Sequence, residues 1–198
     1  MPESEEGKIP KKQIFSAPMR FVRTDQGLPG QIKAKSRSVI PGHRDRQLGP
    51  FRSYSPTTSS IAVILAAPVG ISMDWLGEIF DVKSAFLSGL ELQRKIHVRA
   101  PKEGLPGPDT TKVISPSQLM RVLKCAYGLT EAPRLWYLRA KQLLESIGFV
   151  ELTCAKAVFT LRSGTGKLVT ILVLHVDDAL IFRDRSDPMS KKAREQMD

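Results

Sequence analysis

The sequence predicts an α+β domain in which helices cover one face of an antiparallel sheet. Short apolar strand patterns dominate the chain, and only two segments carry a clear helical pattern, over residues 61–67 and 132–147. The strand patterns near the C-terminus follow each other through turns, as in a hairpin. At 198 residues the chain is long enough for one domain with its own core, and no internal repeat is visible.

The first 56 residues are polar and rich in proline, glycine and arginine. We expect residues 1–20 to form a disordered tail. The segments RFVRTD (20–25) and KSRSVI (35–40) have the pattern of two short strands, which GLPGQ joins. A small strand pair is therefore predicted after the tail.

A helix and a strand are predicted next. Ser59 or Ser60 is a suitable N-cap for a helix over IAVILAA, which Pro68 is expected to stop or kink. WLGEIFDVKSAFLSG (75–89) then predicts a strand that carries Asp81 and passes into a turn or short helix ending at Gly89. The positions of this strand that we expect to be buried are Leu76, Ile79, Phe80 and Val82.

The second half of the chain supplies more strands and the best helix. IHVRAP (96–101) and QLMRVLKCAYG (118–128) have strand patterns, and residues 102–117 between them form a predicted loop. Residues 132–147 form a helix with Pro133 in its first turn and Gly148 after its end. AVFTLR (157–162) and KLVTILVLHV (167–176) are strands joined by the turn SGTG. The charged residues 183–198 form a frayed tail or begin a helix.

Charge and composition narrow the function classes. The chain carries 30 Lys and Arg against 20 Asp and Glu, a net charge of +10, and 11 of those cations lie in residues 1–60 with five acids. This balance favours a polyanionic partner such as nucleic acid, although a merely soluble basic surface remains an alternative. No apolar run reaches the ~20 residues of a spanning helix, and no secretory signal is visible. Two cysteines indicate neither a disulfide framework nor a zinc site.

Two adjacent aspartates, Asp177 and Asp178, interrupt an apolar run between KLVTILVLHV and ALIF. A tight turn places them at a hairpin tip, either as a solvated turn or as part of a metal site. Asp81 also ends an apolar strand, so three carboxylates on neighbouring strand ends would form a site for magnesium or manganese. Two such ions can support in-line phosphoryl transfer. This assignment requires Asp81 to face Asp177 across adjacent strands, and it fails if they lie on opposite faces.

Three segments carry a family resemblance. FDVKSAFLSG (80–89), LKCAYGLTEAPRLWYLRA (123–140) and LVLHVDDALIF (172–182) resemble, in order and spacing, the palm motifs of Ty1/copia-type reverse transcriptases of LTR retrotransposons. AKSRSVIPGHRD (34–45) and YSPTTSS (54–60) resemble their fingers region. The resemblance implies a right-hand polymerase palm with partial fingers over residues 21–182. Because only 16 residues follow Phe182, we expect residues 183–198 to be a truncated tail without the thumb and RNase H domain of that family.

The resemblance also implies the roles of the acidic residues. Asp81 and Asp177 would bind two Mg²⁺ or Mn²⁺ ions, and Asp178 would complete the catalytic carboxylate triad. The backbone carbonyl of Val82 would be a further metal ligand. The implied activity is RNA-directed DNA polymerisation, in which a primer 3′-hydroxyl attacks a dNTP.

Five further residues would bind the nucleotide. By resemblance, Phe86 lies under the incoming sugar, and Tyr127 and Gly128 pack on the nucleotide and template. Lys35 and Arg37 match the basic fingers residues that hold the triphosphate. The alternatives are a core phenylalanine at Phe86 and a solvated basic surface at Lys35 and Arg37.

The implied partners are an RNA or DNA template with its primer, dNTPs and the remainder of a pol polyprotein, in a cytoplasmic virus-like particle or the nucleus. Trp136 invites a base-stacking role, but its helical spacing beside Leu135 and Ala140 predicts a core residue.

A competing hypothesis is a non-catalytic nucleic-acid-binding remnant of a decayed element, because a missing thumb would weaken the hold on primer and template. The third hypothesis is a metal-dependent phosphotransferase that is not a polymerase.

Overall fold

The computed structural model describes residues 6–47, 54–107 and 113–197. The chain divides into two compact units. The first consists of Met1–Ser53 and Phe86–Leu135, and the second of Tyr54–Ala85 and Trp136–Asp198. Each unit is therefore built from two separate stretches of chain.

The regular elements of the described residues are eleven strands and three α-helices. In chain order the strands are β1 (Arg20–Asp25), β2 (Ala34–Val39), β3 (Leu76–Asp81), β4 (Glu91–Arg99), β5 (Leu105–Pro106), β6 (Val113–Ile114), β7 (Leu119–Lys124), β8 (Val150–Glu151), β9 (Val158–Arg162), β10 (Leu168–His175) and β11 (Asp178–Arg183). The helices are α1 (Ser60–Ser72), α2 (Ala132–Ser146) and α3 (Pro188–Glu195). Short 3-10 turns occur at Lys11–Gln13, Gly42–Arg44 and Ala85–Ser88.

The first unit contains three antiparallel strand pairs. The predicted pair near the N-terminus is confirmed, since β1 and β2 pair along their full length. β4 pairs with β7, and β5 with β6 inside the segment predicted to be a loop. The core of this unit is an apolar cluster that includes Phe15, Ile40, Ile96, Val98, Cys125 and Leu129.

The segment expected to be a disordered tail has contacts where it is described. Phe15 is buried, and its backbone N–H donates to the carbonyl of His97 at 2.9 Å. The N–H of Met19 donates to the carbonyl of Arg99 at 2.9 Å. These bonds tie residues 14–19 to β4, while residues 1–5 lie outside the described residues.

The second unit contains a five-stranded antiparallel sheet with the order β3-β11-β10-β9-β8. The predicted terminal hairpins are confirmed, because β9 pairs with β10 and β10 with β11. β10 lies at the centre, and six of its eight residues are buried. The edge strand β3 alternates in burial, so Leu76 and Phe80 are half-buried, whereas Ile79, predicted to be buried, lies on the same face as Asp81 and is 77% exposed.

Helices cover both faces of this sheet, which differs from the expected single face. α1 packs against one face, where Ala66 joins a core cluster with Ile171, Val173 and Phe182. The side chains that alternate with these point to the other face, where the Thr170 hydroxyl donates to Ser190 of α3. A strand buried on both faces needs a continuous apolar run, and the sequence of β10 has one.

The predicted helices form with small changes at their ends. Ser59 is the N-cap of α1, with its Oγ accepting from the Ala62 N–H at 3.2 Å. Pro68 does not end α1, which continues to Ser72. α2 matches its predicted range within one residue, and part of the C-terminal tail forms α3 with Asp187 as its N-cap. Among the described residues, no helix has the length and apolar character needed to span a membrane.

Candidate active site

The turn between β10 and β11 carries the paired aspartates. His175 and Asp178 are the last cross-strand partners of the hairpin, so Val176 and Asp177 form a two-residue turn. Asp177 therefore lies at the tip, and Asp178 is the first residue of β11. The predicted position at a hairpin tip is confirmed for Asp177, while Asp178 begins the strand that follows the turn.

Asp81 lies directly opposite Asp178 in the ladder between β3 and β11. Side chains of opposite residues in an antiparallel pair point to the same face of the sheet. The neighbouring N–H of Val82 donates to the carbonyl of Asp177 at 2.8 Å. The cross-strand partner of Asp81 is thus Asp178, where the sequence predicted a pairing with Asp177, and Asp177 is joined to β3 through its backbone.

The three carboxylates fit a hard divalent cation in their chemistry. Asp81, Asp177 and Asp178 are all exposed, and carboxylate oxygens are ligands that magnesium and manganese prefer. Within the described ranges, no group of three or more His, Cys, Asp or Glu side chains has the arrangement of a metal site. The donor types match a divalent cation, while a three-carboxylate cage is not formed.

The turn has a strained backbone at Val176. Its φ angle is +57°, in the left-handed region that β-branched residues avoid. In two-residue hairpin turns a positive φ at the first central position is usually taken by glycine. The sequence gives no sign of this conformation, because valine is among the residues least suited to it.

Trp136 contacts this turn from α2. Its indole Nε1–H donates to the carbonyl of Val176 at 2.6 Å, and the residue is only 5% exposed. The prediction that Trp136 is a core residue is confirmed, but the hydrogen bond was missed. Trp136 also lines a cavity of about 810 Å³ together with Phe80, Asp81 and Val82.

The strand that carries Asp81 is held by a charge cluster. Arg183 of β11 binds Glu78 of β3, and Arg194 of α3 lies 3.4 Å from the same carboxylate. Burial alone would raise the pKa of Glu78, but the bonds from the two arginines outweigh it and lower the pKa below its usual range. The guanidinium of Arg194 also lies 4.4 Å from the centre of the Phe80 ring. These contacts fix the register that sets Asp81 opposite Asp178.

The first unit brings together four of the five predicted nucleotide-binding residues. The guanidinium of Arg37 lies 5.7 Å from the centre of the Tyr127 ring, and Phe86 packs edge-to-face against that ring with 5.5 Å between the ring centres. Gly128 has φ +90°, and an added Cβ would lie 2.1 Å from the carbonyl oxygen of Ile40. Phe86 also packs against the apolar core of the unit, so the two interpretations of this residue coexist.

Lys35, the fifth predicted nucleotide-binding residue, is exposed on β2. It lies two residues from Arg37, so both side chains point to the same face of the β1–β2 ribbon. Arg20 lies opposite Val39, which is two residues from Arg37 and points to the same face. The Arg20 side chain therefore points to that face as well. The ribbon therefore presents three cations on one face.

The first unit also contains a buried ion cluster that the sequence analysis did not predict, and one of its members, Glu131, is four residues from Tyr127. Arg94 donates to both carboxylate oxygens of Glu131 at 2.7 and 2.6 Å, and to Gln47 at 3.3 Å. Asp45 is 2.5 Å from the same guanidinium. Although burial opposes the charge of Arg94, the two carboxylates raise its pKa further above its already high value. The cluster ties the segment after β2 to β4 and to the segment before α2.

Comparisons with known proteins agree with the motifs. A family model described as Reverse transcriptase (RNA-dependent DNA polymerase) matches residues 8–197. The chain is 30% identical over 148 residues to the Retrovirus-related Pol polyprotein from transposon RE1 of Arabidopsis thaliana, covering 74% of this chain. It is 29% identical over 148 residues, again 74% of this chain, to the corresponding polyprotein from transposon RE2 of the same plant.

A third relative is the Retrovirus-related Pol polyprotein from transposon TNT 1-94 of Nicotiana tabacum, 28% identical over 151 residues and 76% of this chain. The matched segments amount to 10% of the two Arabidopsis proteins and 11% of the tobacco protein. The chain thus spans about a tenth of the length of these relatives. No solved structure matches the chain.

Proposed function

Because this chain belongs to the reverse transcriptase (RNA-dependent DNA polymerase) family of Ty1/copia-type pol polyproteins, we propose that it carries their nucleotidyl-transfer site. The observation that supports this most directly is the position of Asp81 opposite Asp178 at the end of adjacent strands. Asp177 follows at the tip of the same hairpin. Residues 21–182 would then be the fingers and palm of a right-hand polymerase.

The roles of the acidic residues follow from their chemistry. Asp81 and Asp177 would hold two Mg²⁺ or Mn²⁺ ions, with Asp178 and the carbonyl of Val82 as further ligands. When bound, such ions lower the pKa of an attacking hydroxyl and stabilise the leaving oxygen in phosphoryl transfer. The protein's contribution is to hold the carboxylates at strand ends, where exposed side chains can rotate toward an ion.

The nucleotide would be held by residues of the first unit. Lys35 and Arg37 supply charge-assisted hydrogen bonds suited to triphosphate oxygens. Phe86 and Tyr127 form an aromatic pair on which a sugar or base can pack, and Gly128 allows the close approach of backbone segments. Phe86 would exclude a ribose 2′-hydroxyl, so that the incoming nucleotide is a dNTP.

The nucleic-acid partner would be an RNA or DNA template with its primer. The net charge of +10 favours contact with phosphates, and the three cations on one face of the β1–β2 ribbon give that charge a location. Binding should therefore weaken steeply as salt concentration rises. The rest of the pol polyprotein would supply further contacts.

Primer extension on an RNA template with Mg²⁺ tests this proposal. Wild-type protein should incorporate dNTPs, and Asp177→Asn should reduce the rate by at least about a hundredfold. Asp187→Asn is a matched control, because asparagine caps a helix as well as aspartate does and Asp187 is the half-buried N-cap of α3, outside the proposed site. Equal rates for the wild type and Asp177→Asn would contradict the proposal.

A non-catalytic nucleic-acid-binding role is the second candidate. It is motivated by the excess of cations, of which 11 lie in residues 1–60 against five acids and three lie on one face of the β1–β2 ribbon. This candidate predicts salt-sensitive binding of template and primer without extension at any concentration of Mg²⁺ or Mn²⁺. Folded protein that binds no nucleic acid at low salt would contradict both candidates.

A further inference from the structure

The hairpin formed by β10 and β11, called the catalytic hairpin after its proposed function, is held in its strained form by contacts from outside its turn. Val176 has φ +57°, a conformation that is unfavourable for a β-branched residue. The two turn residues accept hydrogen bonds from outside the hairpin, one from the backbone of Val82 to Asp177 and one from the indole of Trp136 to Val176. A strained turn persists only where its surroundings hold it.

The indole N–H is well suited to this task. It is a donor without acceptor capacity, and a buried tryptophan N–H needs a partner. The carbonyl of Val176 lies 2.6 Å from it, a short distance for such a bond. Trp136 itself is fixed, because only 5% of it is exposed and the next residue, Tyr137, is bonded to Glu151.

We propose that Trp136 is a positioning residue for the catalytic hairpin, whose indole N–H holds Val176 in the left-handed conformation and thereby sets the direction of Asp177. The inference rests on the proposed polymerase function for its effect on catalysis, but not for its effect on the turn. Without the indole bond, the turn relaxes to a less strained backbone. The carboxylate of Asp177, whose backbone carbonyl is bonded to Val82, then changes direction.

Glycine at position 176 makes the inference testable. A glycine adopts φ near +57° without strain, so the turn no longer needs the indole bond. The effect of Trp136→Phe should therefore be large when residue 176 is valine and small in the Val176→Gly background. If Trp136 acted only by filling the core, Trp136→Phe would have the same effect in both backgrounds.

Backbone amide resonances of residues 176–178 provide a readout that does not need polymerase activity. In ¹⁵N-labelled protein, Trp136→Phe should shift or broaden these resonances, because the turn exchanges between two conformations. The same substitution in the Val176→Gly background should leave them sharp and close to those of Val176→Gly alone. Equal perturbation in the two backgrounds would overturn the inference.

Primer extension provides the second readout. Trp136→Phe should lower kcat about tenfold and change the KM for dNTP less than about twofold, since the lost hydrogen bond acts on the hairpin and not on nucleotide binding. In the Val176→Gly background the loss of kcat should shrink to less than about threefold. A rise in KM with unchanged kcat would contradict the inference.

Two further proteins separate the inference from loss of folding and from loss of the proposed function. Trp75→Phe changes the other tryptophan, which packs against the core cluster between α1 and the sheet. This variant should leave kcat unchanged. Replacing Trp136 with benzothienylalanine keeps the bicyclic ring but removes the N–H, and should give the same resonance changes as Trp136→Phe. If wild-type protein does not polymerise, the amide resonances still decide the inference.

Discussion

Arg94 donates to both carboxylate oxygens of Glu131, and Asp45 lies 2.5 Å from the same guanidinium. All three side chains are at most 10% exposed. Removing the cation would leave two carboxylates buried without a counter-charge, which is much more costly than never having buried them. Arg94 is therefore central to the stability of the first unit.

We predict that Arg94→Met lowers the free energy of unfolding by about 3–5 kcal/mol. Arg94→Lys should cost less, because it keeps the charge but loses the two-pronged geometry. Urea unfolding followed by circular dichroism measures both. Arg23→Met is the control, since Arg23 and Glu103 are exposed and 3.9 Å apart, and it should cost no more than about 1 kcal/mol. Similar costs at the two sites would contradict the prediction.

Gly128 supports the proposed nucleotide-binding residues through its backbone. An added Cβ would lie 2.1 Å from the carbonyl of Ile40, whose N–H bonds to the carbonyl of Tyr127. Gly128→Ala should therefore lower the free energy of unfolding by at least about 2 kcal/mol more than Gly30→Ala. Gly30 is a matched control because its φ is +84° and nothing lies near its Cβ position.

The same pair of variants should differ in nucleotide binding. Displacement of Tyr127 would disturb its contacts with Arg37 and Phe86, so Gly128→Ala should raise the KM for dNTP several-fold where it folds. Gly30→Ala should leave this KM unchanged. Equal KM values for the two variants would show that Tyr127 does not contribute to the nucleotide site.

Local sequence patterns predicted most elements because their causes are local. The apolar runs that end at Asp81 and before Asp177 predicted where these strands end and where the hairpin turns. Pro133 and Gly148 predicted where α2 begins and ends. The pairing of Asp81 with Asp178 was not predictable, since a shift of one residue in register changes the partner.

Other features depend on contacts between distant parts of the chain. The cluster at Arg94 joins residues that are 37 and 49 positions away in sequence, and none of them stands out in its own segment. The left-handed backbone of Val176 contradicts the preference of valine, so only its surroundings explain it. The continuous apolar run of β10 is typical of a strand that is covered on both faces, but the sequence analysis predicted helices on one face only.

Glu151 should make stability depend on acid pH. Its carboxylate is 4% exposed and accepts bonds from Tyr137, the Lys141 ammonium and the Ala157 N–H. Burial alone would raise the pKa of Glu151, but these donors lower it to about 2 in the folded protein, against 4.5 as its ordinary value. Because the folded pKa is lower, this contribution is fully present above pH 4.5 and is lost as the pH falls toward 2.

The contribution at neutral pH is about 3 kcal/mol. Glu151→Gln should therefore be less stable than wild type at pH 7, and the difference should narrow as the pH falls from 5 to 3. Urea unfolding at several pH values measures this. Glu195→Gln, at the exposed end of α3, should parallel the wild type at every pH. A constant difference between Glu151→Gln and wild type would contradict the assignment of the low pKa.

The opposed carboxylates of Asp81 and Asp178 predict a conflict between stability and metal binding. Like charges directly opposite in an antiparallel pair destabilise a sheet by roughly 0.2–1 kcal/mol. With a chelator present, Asp81→Asn should therefore raise Tm by about 1–3 °C. Saturating Mn²⁺ should reverse the order, because an ion that binds the folded wild type adds stability that the variant lacks. Asp187→Asn should follow the wild type in both conditions, and an equal response of Asp81→Asn and wild type to Mn²⁺ would show that Asp81 is not a metal ligand.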